Sequence, residues 1–136
     1  MSEADIHITI AALIDVYAHP HLIWFHPANG EKRNIITAAR LKRMGVPDFA
    51  FTLPDGRSAY MEVKTPKGKL NPHQKAFRQR CWDNNVPYAL VTNDDDAMAI
   101  LYEWGALLPV AWRKGRAHGF GRPVENSLSV RNVQSR

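Results

Sequence analysis

Val46-Pro47-Asp48-Phe49-Ala50-Phe51-Thr52-Leu53, then Pro54-Asp55-Gly56, then Arg57-Ser58-Ala59-Tyr60-Met61-Glu62-Val63-Lys64 form the stretch that decides the fold. Pro-Asp-Gly suits a three-residue hairpin loop: proline presets φ for a type I turn, and glycine takes the left-handed bulge position. In that register Asp48 lies opposite Glu62, Ala50 opposite Tyr60 and Thr52 opposite Ser58, on one face with Lys64. The other face carries Phe49, Phe51, Leu53, Ala59, Met61 and Val63. Alternation on both strands therefore sorts an apolar face, expected to be buried, from a polar face bearing Asp48, Glu62 and Lys64. A two-residue loop would put Asp48 and Glu62 on opposite faces, so the pairing depends on the turn.

Downstream of the lysine, a Lys67-Gly68-Lys69 loop leads into a helix start. Asn71 fits the N-cap, Pro72 the first helical position and Gln74 the third, which makes an Asn-x-x-Gln capping box. The helix is expected to run to about residue 84 with Phe77, Cys81 and Trp82 inward. Residues 87–92 read as a buried apolar strand, and a last helix over 97–104 is capped by Asp94 or Asp95 and closed by Gly105. Strand, helix and strand make a right-handed parallel crossover. Upstream, Ile6, Ile10, Leu13, Ile14 and Tyr17 give one apolar stripe on a helix over about 2–17, with Ser2 as its N-cap. His19-Pro20-His21 breaks that helix, residues 22–25 read as a short strand ended by Pro27-Ala28-Asn29-Gly30, and a basic helix follows over about 32–44, stopped by Gly45. The expected fold is α/β, a sandwich on a mixed central sheet flanked by helices.

At 136 residues and 45% hydrophobic, the chain suits one folded domain and excludes wholesale disorder or a fibrous repeat. No apolar run approaches the roughly 18 residues that a membrane span needs. The opening MSEADIH is acidic and unlike a signal peptide, and the lone Cys81 cannot form an internal disulfide, so a reducing cytoplasm is the expected compartment. The net charge of +5 is unevenly placed. Residues 1–112 hold twelve Lys/Arg and twelve Asp/Glu, whereas residues 113–136 hold six Lys/Arg against Glu125 alone. The expected organisation is a domain over 1–112 and a basic tail over 113–136 that either meets a polyanion or DNA, or merely aids solubility. Inside the balanced part, Lys32, Arg33, Arg40, Lys42 and Arg43 form a local basic segment without an acid.

Two carboxylates directly across a strand pair lie about 4.5–5.5 Å apart at their Cβ atoms, and they repel unless a hard cation joins them. Mg²⁺ is the natural candidate, since it takes one or two carboxylates with waters and phosphate oxygens, and Mn²⁺ is expected to substitute. Lys64 then sits where it can orient a water or offset charge on a phosphoryl transition state, which describes metal-assisted phosphodiester hydrolysis. The competing reading is a solvated Asp–Lys–Glu cluster on an exposed sheet face, worth little to stability.

Pro47-Asp48 followed by Glu62-Val63-Lys64 after a hairpin resembles the PD-(D/E)xK nuclease signature. More narrowly, Gly45-Val46-Pro47-Asp48, Glu62-Val63-Lys64-Thr65, Gly68-Lys69-Leu70-Asn71-Pro72-His73-Gln74 and the early Ser2-Glu3 are similar to the VRR-NUC branch over about residues 2–104. The resemblance implies a restriction-endonuclease-like αβββαβ fold. It implies Asp48, Glu62 and the carbonyl of Val63 as metal ligands, Lys64 acting on the attacking water, Gln74 near the metal or scissile phosphate, and Glu3 as an outer acid. Gln74 is equally explained by the capping box, and Asp5 is an acidic neighbour of Glu3. Lys67 and Lys69, with the basic segment, are candidate DNA contacts. Compact members of this branch look like dimeric nucleases on branched DNA, which implies a metal-dependent endodeoxyribonuclease, Holliday-junction-resolvase-like, acting as a homodimer. The apolar residues between Trp104 and Trp112 are either part of that dimer contact or a segment closing the chain's own core.

Other features point to less. His19, His21 and His26 invite a zinc reading, but no CxxC or HExxH accompanies them. Cys81, between Phe77 and Trp82, reads as a core thiol rather than a nucleophile. Asp94-Asp95-Asp96 reads as a helix cap, and the glycines after residue 113 lack a nucleotide-binding pattern, so no nucleotide cofactor is expected. Two readings from different classes remain: a Mg²⁺/Mn²⁺-dependent DNA endonuclease, and a non-catalytic DNA-binding or assembly module on the same fold.

Overall fold

The structure is a computed structural model that describes residues 2–27 and 35–109. Its elements are α1 (Glu3–Tyr17), β1 (Ile23–Phe25), α2 (Ile35–Met44), β2 (Phe49–Thr52), β3 (Ser58–Val63), α3 (Pro72–Asp83), β4 (Tyr88–Val91) and α4 (Asp94–Glu103). The four strands form one open sheet in the order β1-β2-β3-β4. β1 and β2 are antiparallel, β2 and β3 antiparallel, and β3 and β4 parallel, so the sheet is mixed and flanked by helices, as expected of a restriction-endonuclease-like fold. Among the described residues no helix is long and apolar enough to cross a membrane.

The hairpin has the three-residue loop. Leu53 N–H donates to the Arg57 carbonyl at 2.8 Å, and Gly56, at φ +93°, donates back to the Leu53 carbonyl at 2.8 Å. Ala50 pairs with Tyr60 and Thr52 with Ser58, the register that brings Asp48 and Glu62 to the same end of one face. The strand itself starts later than the sequence pattern implied. Pro47 is buried and has no N–H for a ladder, so pairing begins only at Phe49 and Asp48 stands just ahead of the strand.

The apolar face forms the core as expected. Phe49, Phe51, Leu53, Ala59, Met61 and Val63 all bury there, against Ile6, Ile10 and Ile14 of α1 and Met98, Ile100 and Leu101 of α4. The opposite face is not the solvated polar face that alternation alone suggests. α3 crosses it, with Phe77 edge-on to Tyr60 at 5.0 Å between ring centroids, and Glu62 is buried at 3% exposure.

Two further expectations are corrected or completed. The N-cap of α4 is Asn93, whose Oδ1 accepts from Asp96 N–H at 2.7 Å, so Asp94 and Asp95 occupy the first turn, where carboxylates favour the helix dipole. The segment after α4 closes the chain's own core: Leu107 bridges Ala18, His19 N–H donates to the Ala106 carbonyl at 2.8 Å, and Trp104, Ala106 and Leu107 are buried. Those residues are therefore unavailable as a dimer patch. Leu108 follows as part of the same closure, its N–H donating to the Tyr17 carbonyl at 2.9 Å. Residues 110–112, the basic tail over 113–136, the Asn29-Gly30 turn, Lys32 and Arg33 lie outside the described residues.

Candidate active site

The expected residues converge on an open cleft of about 270 Å³, lined by Glu3, Lys42, Asp48, Glu62, Lys64 and Gln74 among others. They arrive from α1, α2, the start of β2, the end of β3 and the start of α3, fixed by local features. Asp48 is held by its own carboxylate: Oδ2 accepts from the Val63 backbone N–H at 2.8 Å, standing in for a main-chain acceptor just beyond the last paired residues of β2 and β3. Val63 thus meets the site through its N–H, and its carbonyl remains the expected ligand. Lys64 follows β3 immediately, and its backbone N–H donates to the Val91 carbonyl at 3.0 Å, which extends the parallel ladder and aims the side chain into the cleft.

α3 is started by the expected capping box. Asn71 Oδ1 accepts from Gln74 N–H at 2.8 Å, and Gln74 Oε1 accepts from Asn71 N–H at 2.9 Å. The other end of the same amide donates from Nε2 to Glu62 Oε2 at 3.2 Å, so the cap and the site share one side chain. Gly45 sets the position of this helix start. At φ +68° it lies so close to α3 that a Cβ would collide with the His73 carbonyl and stand 2.9 Å from Gln74 N.

α1 contributes Glu3, and its neighbour Asp5 is excluded from the same role. Asp5 closes a capping box with Ser2, accepting from Ser2 N–H at 3.1 Å and Ser2 Oγ–H at 2.8 Å. Glu3, two residues earlier, lines the cleft.

The electrostatics centre on Glu62. Its ionisation is pushed up to about 9, first by burial, then by the neighbouring Asp48 and by Glu3, against the pull of Lys64. Lys64 Nζ stands 4.0 Å from Oε2, too far for a hydrogen bond. Glu62 Oε1 is buried, and among the described residues no N–H or O–H donor reaches it. A buried carboxylate oxygen without a donor is costly, and beside a second carboxylate the group that relieves it must be a proton or a cation. The solvated-cluster reading fails on this burial. The donors present, two carboxylates in an open, oxygen-lined cleft, fit a hard divalent cation that completes its shell with water. No group of three or more His, Cys, Asp or Glu among the described residues is placed to hold a metal. His19 Nδ1 accepts from His21 N–H at 3.0 Å, while His26 turns to His7.

His7 is the site residue that sequence reasoning missed. It is 8% exposed, with Nδ1 3.9 Å from Asp48 Oδ1 and Nε2 2.8 Å from His26 Nδ1. Burial holds it below its ordinary value against the pull of Asp48, with His26 adding to the lowering. The available signal was its spacing, one helical turn after Glu3 on the same face of α1. Of the basic residues, Lys42 lines the cleft; Arg40, Arg43, Lys67 and Lys69 are exposed outside its wall.

The sheet and the carboxylate pair at its hairpin define an α/β protein of restriction-endonuclease-like architecture. The family model for the VRR-NUC domain matches residues 24–95, and the chain belongs to that nuclease family. No curated protein and no solved structure matched the chain.

Proposed function

We propose that the protein is a Mg²⁺-dependent DNA endonuclease, with Mn²⁺ able to substitute, that hydrolyses phosphodiester bonds in the cleft between α1, α2 and the β2–β3 hairpin. The observation that carries this reading is the buried Glu62 carboxyl, one oxygen of which has no donor among the described residues, beside Asp48 in a chain of a nuclease family. Asp48, Glu62 and the Val63 carbonyl would hold the cation, which supplies Lewis-acid stabilisation of the phosphate's developing charge. Gln74 keeps the Glu62 carboxylate turned toward the cleft through the 3.2 Å hydrogen bond. Lys64, held at the cleft wall without a tight ion pair, orients the attacking water and offsets negative charge on the transition state. Glu3 acts as an outer acid. Lys42 guides the phosphate backbone into the cleft, with Arg40, Arg43, Lys67 and Lys69 contacting flanking phosphates, as would Lys32, Arg33 and the basic tail.

The finer reading is selectivity for branched DNA by a homodimer, because a two-fold dimer matches the symmetry of a four-way junction. Since Trp104, Ala106 and Leu107 bury within the chain, such a dimer would draw on exposed apolar side chains elsewhere, of which Ile8, Val16, Ile23 and Phe25 are the largest described, apart from Met44.

The test is incubation with duplex, nicked, flap and four-way-junction DNA in Mg²⁺, Mn²⁺ or EDTA. Cleavage should need the metal, and Asp48→Ala, Glu62→Ala and Lys64→Ala should each abolish it while remaining folded. Near-wild-type cleavage by Glu62→Ala would sink the assignment. Equal rates on linear single strands and junctions would remove the branched-substrate half alone.

A further inference from the structure

The cleft is backed on its α1 side by two histidines that no part of the proposed chemistry uses. His7 projects from α1, and His26 follows β1 directly. The two rings form one hydrogen bond, Nε2 of His7 to Nδ1 of His26 at 2.8 Å. Both rings are fixed by neighbours. Phe49 lies 4.4 Å from His7 and 5.0 Å from His26 between centroids, and Trp24 stands edge-on to His26 at 5.1 Å. On its far side, His7 directs Nδ1 toward Asp48 Oδ1 at 3.9 Å.

Hydrogen-bond stoichiometry then constrains the protons. The contact between the two rings needs one donor and one acceptor. If His7 donated from Nε2, a neutral ring would present the Nδ1 lone pair to the Asp48 carboxylate, which is repulsive. If His26 donates from Nδ1, His7 accepts at Nε2 and carries its own proton on Nδ1, facing Asp48. The carboxylate selects the second arrangement.

We infer that His7 is a positioning residue for Asp48. The chain His26 Nδ1–H to His7 Nε2, and His7 Nδ1–H toward Asp48 Oδ1, biases the orientation of one carboxylate oxygen. The Val63 N–H fixes the other at 2.8 Å. At 3.9 Å the His7 N–H acts as an aimed dipole rather than a direct hydrogen bond. Hydrogen-bonded at Oδ2 and attracted at Oδ1, Asp48 keeps its carboxylate toward Glu62, so the cation finds its ligand already oriented. The inference rests on the metal-site reading above, but half of its test does not.

The first arm uses metal-free protein with ¹⁵N-labelled histidine. Long-range ¹H–¹⁵N correlation should show His7 protonated on Nδ1 and bare on Nε2, and a His7 proton on Nε2 overturns the inference. The second arm measures Mn²⁺ affinity by calorimetry for wild type, His7→Asn and His7→Gln, with thermal melts to establish folding. The Asn amide stands where Nδ1 stood and the Gln amide where Nε2 stood. His7→Asn should therefore stay within about threefold of wild type, whereas His7→Gln should bind about tenfold more weakly, the usual size of an outer-shell loss. Both variants lose the same ring packing on Phe49, so equal affinities in the two, high or low, refute a positioning role. A wild-type protein that takes up no Mn²⁺ would overturn the metal reading, and the tautomer spectrum would still decide the relay.

Discussion

Replacing Glu62 by glutamine should make the metal-free protein more stable, and the gain should grow with pH. In the fold, the Glu62 carboxyl is pushed up from 4.5 to about 9, chiefly by burial. At pH 7 it is therefore protonated when folded and ionised when unfolded. The folded state binds the extra proton, so the unfolded state gains as pH rises, the reverse of an ordinary salt-bridged acid. Because the folded value lies above 7, the cost at pH 7 is set by the gap between pH and the unfolded value. With an unfolded value of 4.5 and about 1.4 kcal/mol per unit, that cost is about 3 kcal/mol.

Glutamine has the shape of a protonated glutamate and still offers an oxygen to Gln74 Nε2–H, but it cannot ionise on unfolding. Urea denaturation in EDTA at pH 5, 6, 7 and 8 should give nearly equal stabilities at pH 5. The difference should widen by about 1.4 kcal/mol per pH unit in favour of Glu62→Gln. In thermal melts at pH 7 this corresponds to roughly 10 °C. Most substitutions destabilise, so a gain here is a demanding outcome. Saturating Mn²⁺ should raise the melting temperature of wild type and leave the variant unchanged, because a ligand that binds only the folded state stabilises it. A variant less stable than wild type, or a difference that stays constant across pH, would refute both the burial argument and the stated cost.

Two further outcomes follow from the packing. Gly45→Ala should cost about 1–3 kcal/mol and weaken Mn²⁺ binding, because the new Cβ displaces the start of α3 and with it Gln74; Gly56→Ala, at φ +93° in open space, should cost less and leave Mn²⁺ binding intact, and calorimetry showing equal losses in the two would count against the role given to Gly45. The Cys81 thiol, buried and pushed up to about 12, should resist iodoacetamide at pH 8 in the folded protein and react once urea unfolds it, whereas rapid labelling of the native state would contradict its place in the core.

The hairpin register was legible because Pro54-Asp55-Gly56 admits few loop geometries, and the register then carries Asp48 and Glu62 to one end of the sheet. The start of α3 was legible because Asn71, Pro72 and Gln74 specify a cap by local chemistry alone. The burial of Glu62 was not legible. Strand alternation assigns a face, but α3 covers that face by tertiary packing. His7 escaped notice because its partners, His26 and Asp48, come from distant parts of the chain. The segment around Trp104 could be read two ways, since an apolar run does not encode what covers it; the Ala18–Leu107 bridge shows that the chain covers its first part itself. Asn93 and the three aspartates after it are all competent caps, and only the extended backbone of Asn93 decides among them.

The same constraints explain why Glu62 is suited to hold a cation. Its neighbours Met61 and Val63 are buried in the core on the opposite face, and β3 is paired on both sides, so the Glu62 side chain cannot swing out to water. Gln74 satisfies one of its oxygens, and no donor among the described residues reaches the other. A lysine within hydrogen-bond distance would complete the carboxylate and close the site as an internal salt bridge. Lys64 stops at 4.0 Å instead. Its charge helps the carboxylate ionise, and it leaves Oε1 without a donor. The arrangement is therefore unfavourable to an empty ionised site and favourable to a proton or a cation. A divalent ion is the stronger competitor near neutral pH because Asp48 lies beside Glu62 and one added charge serves both carboxylates.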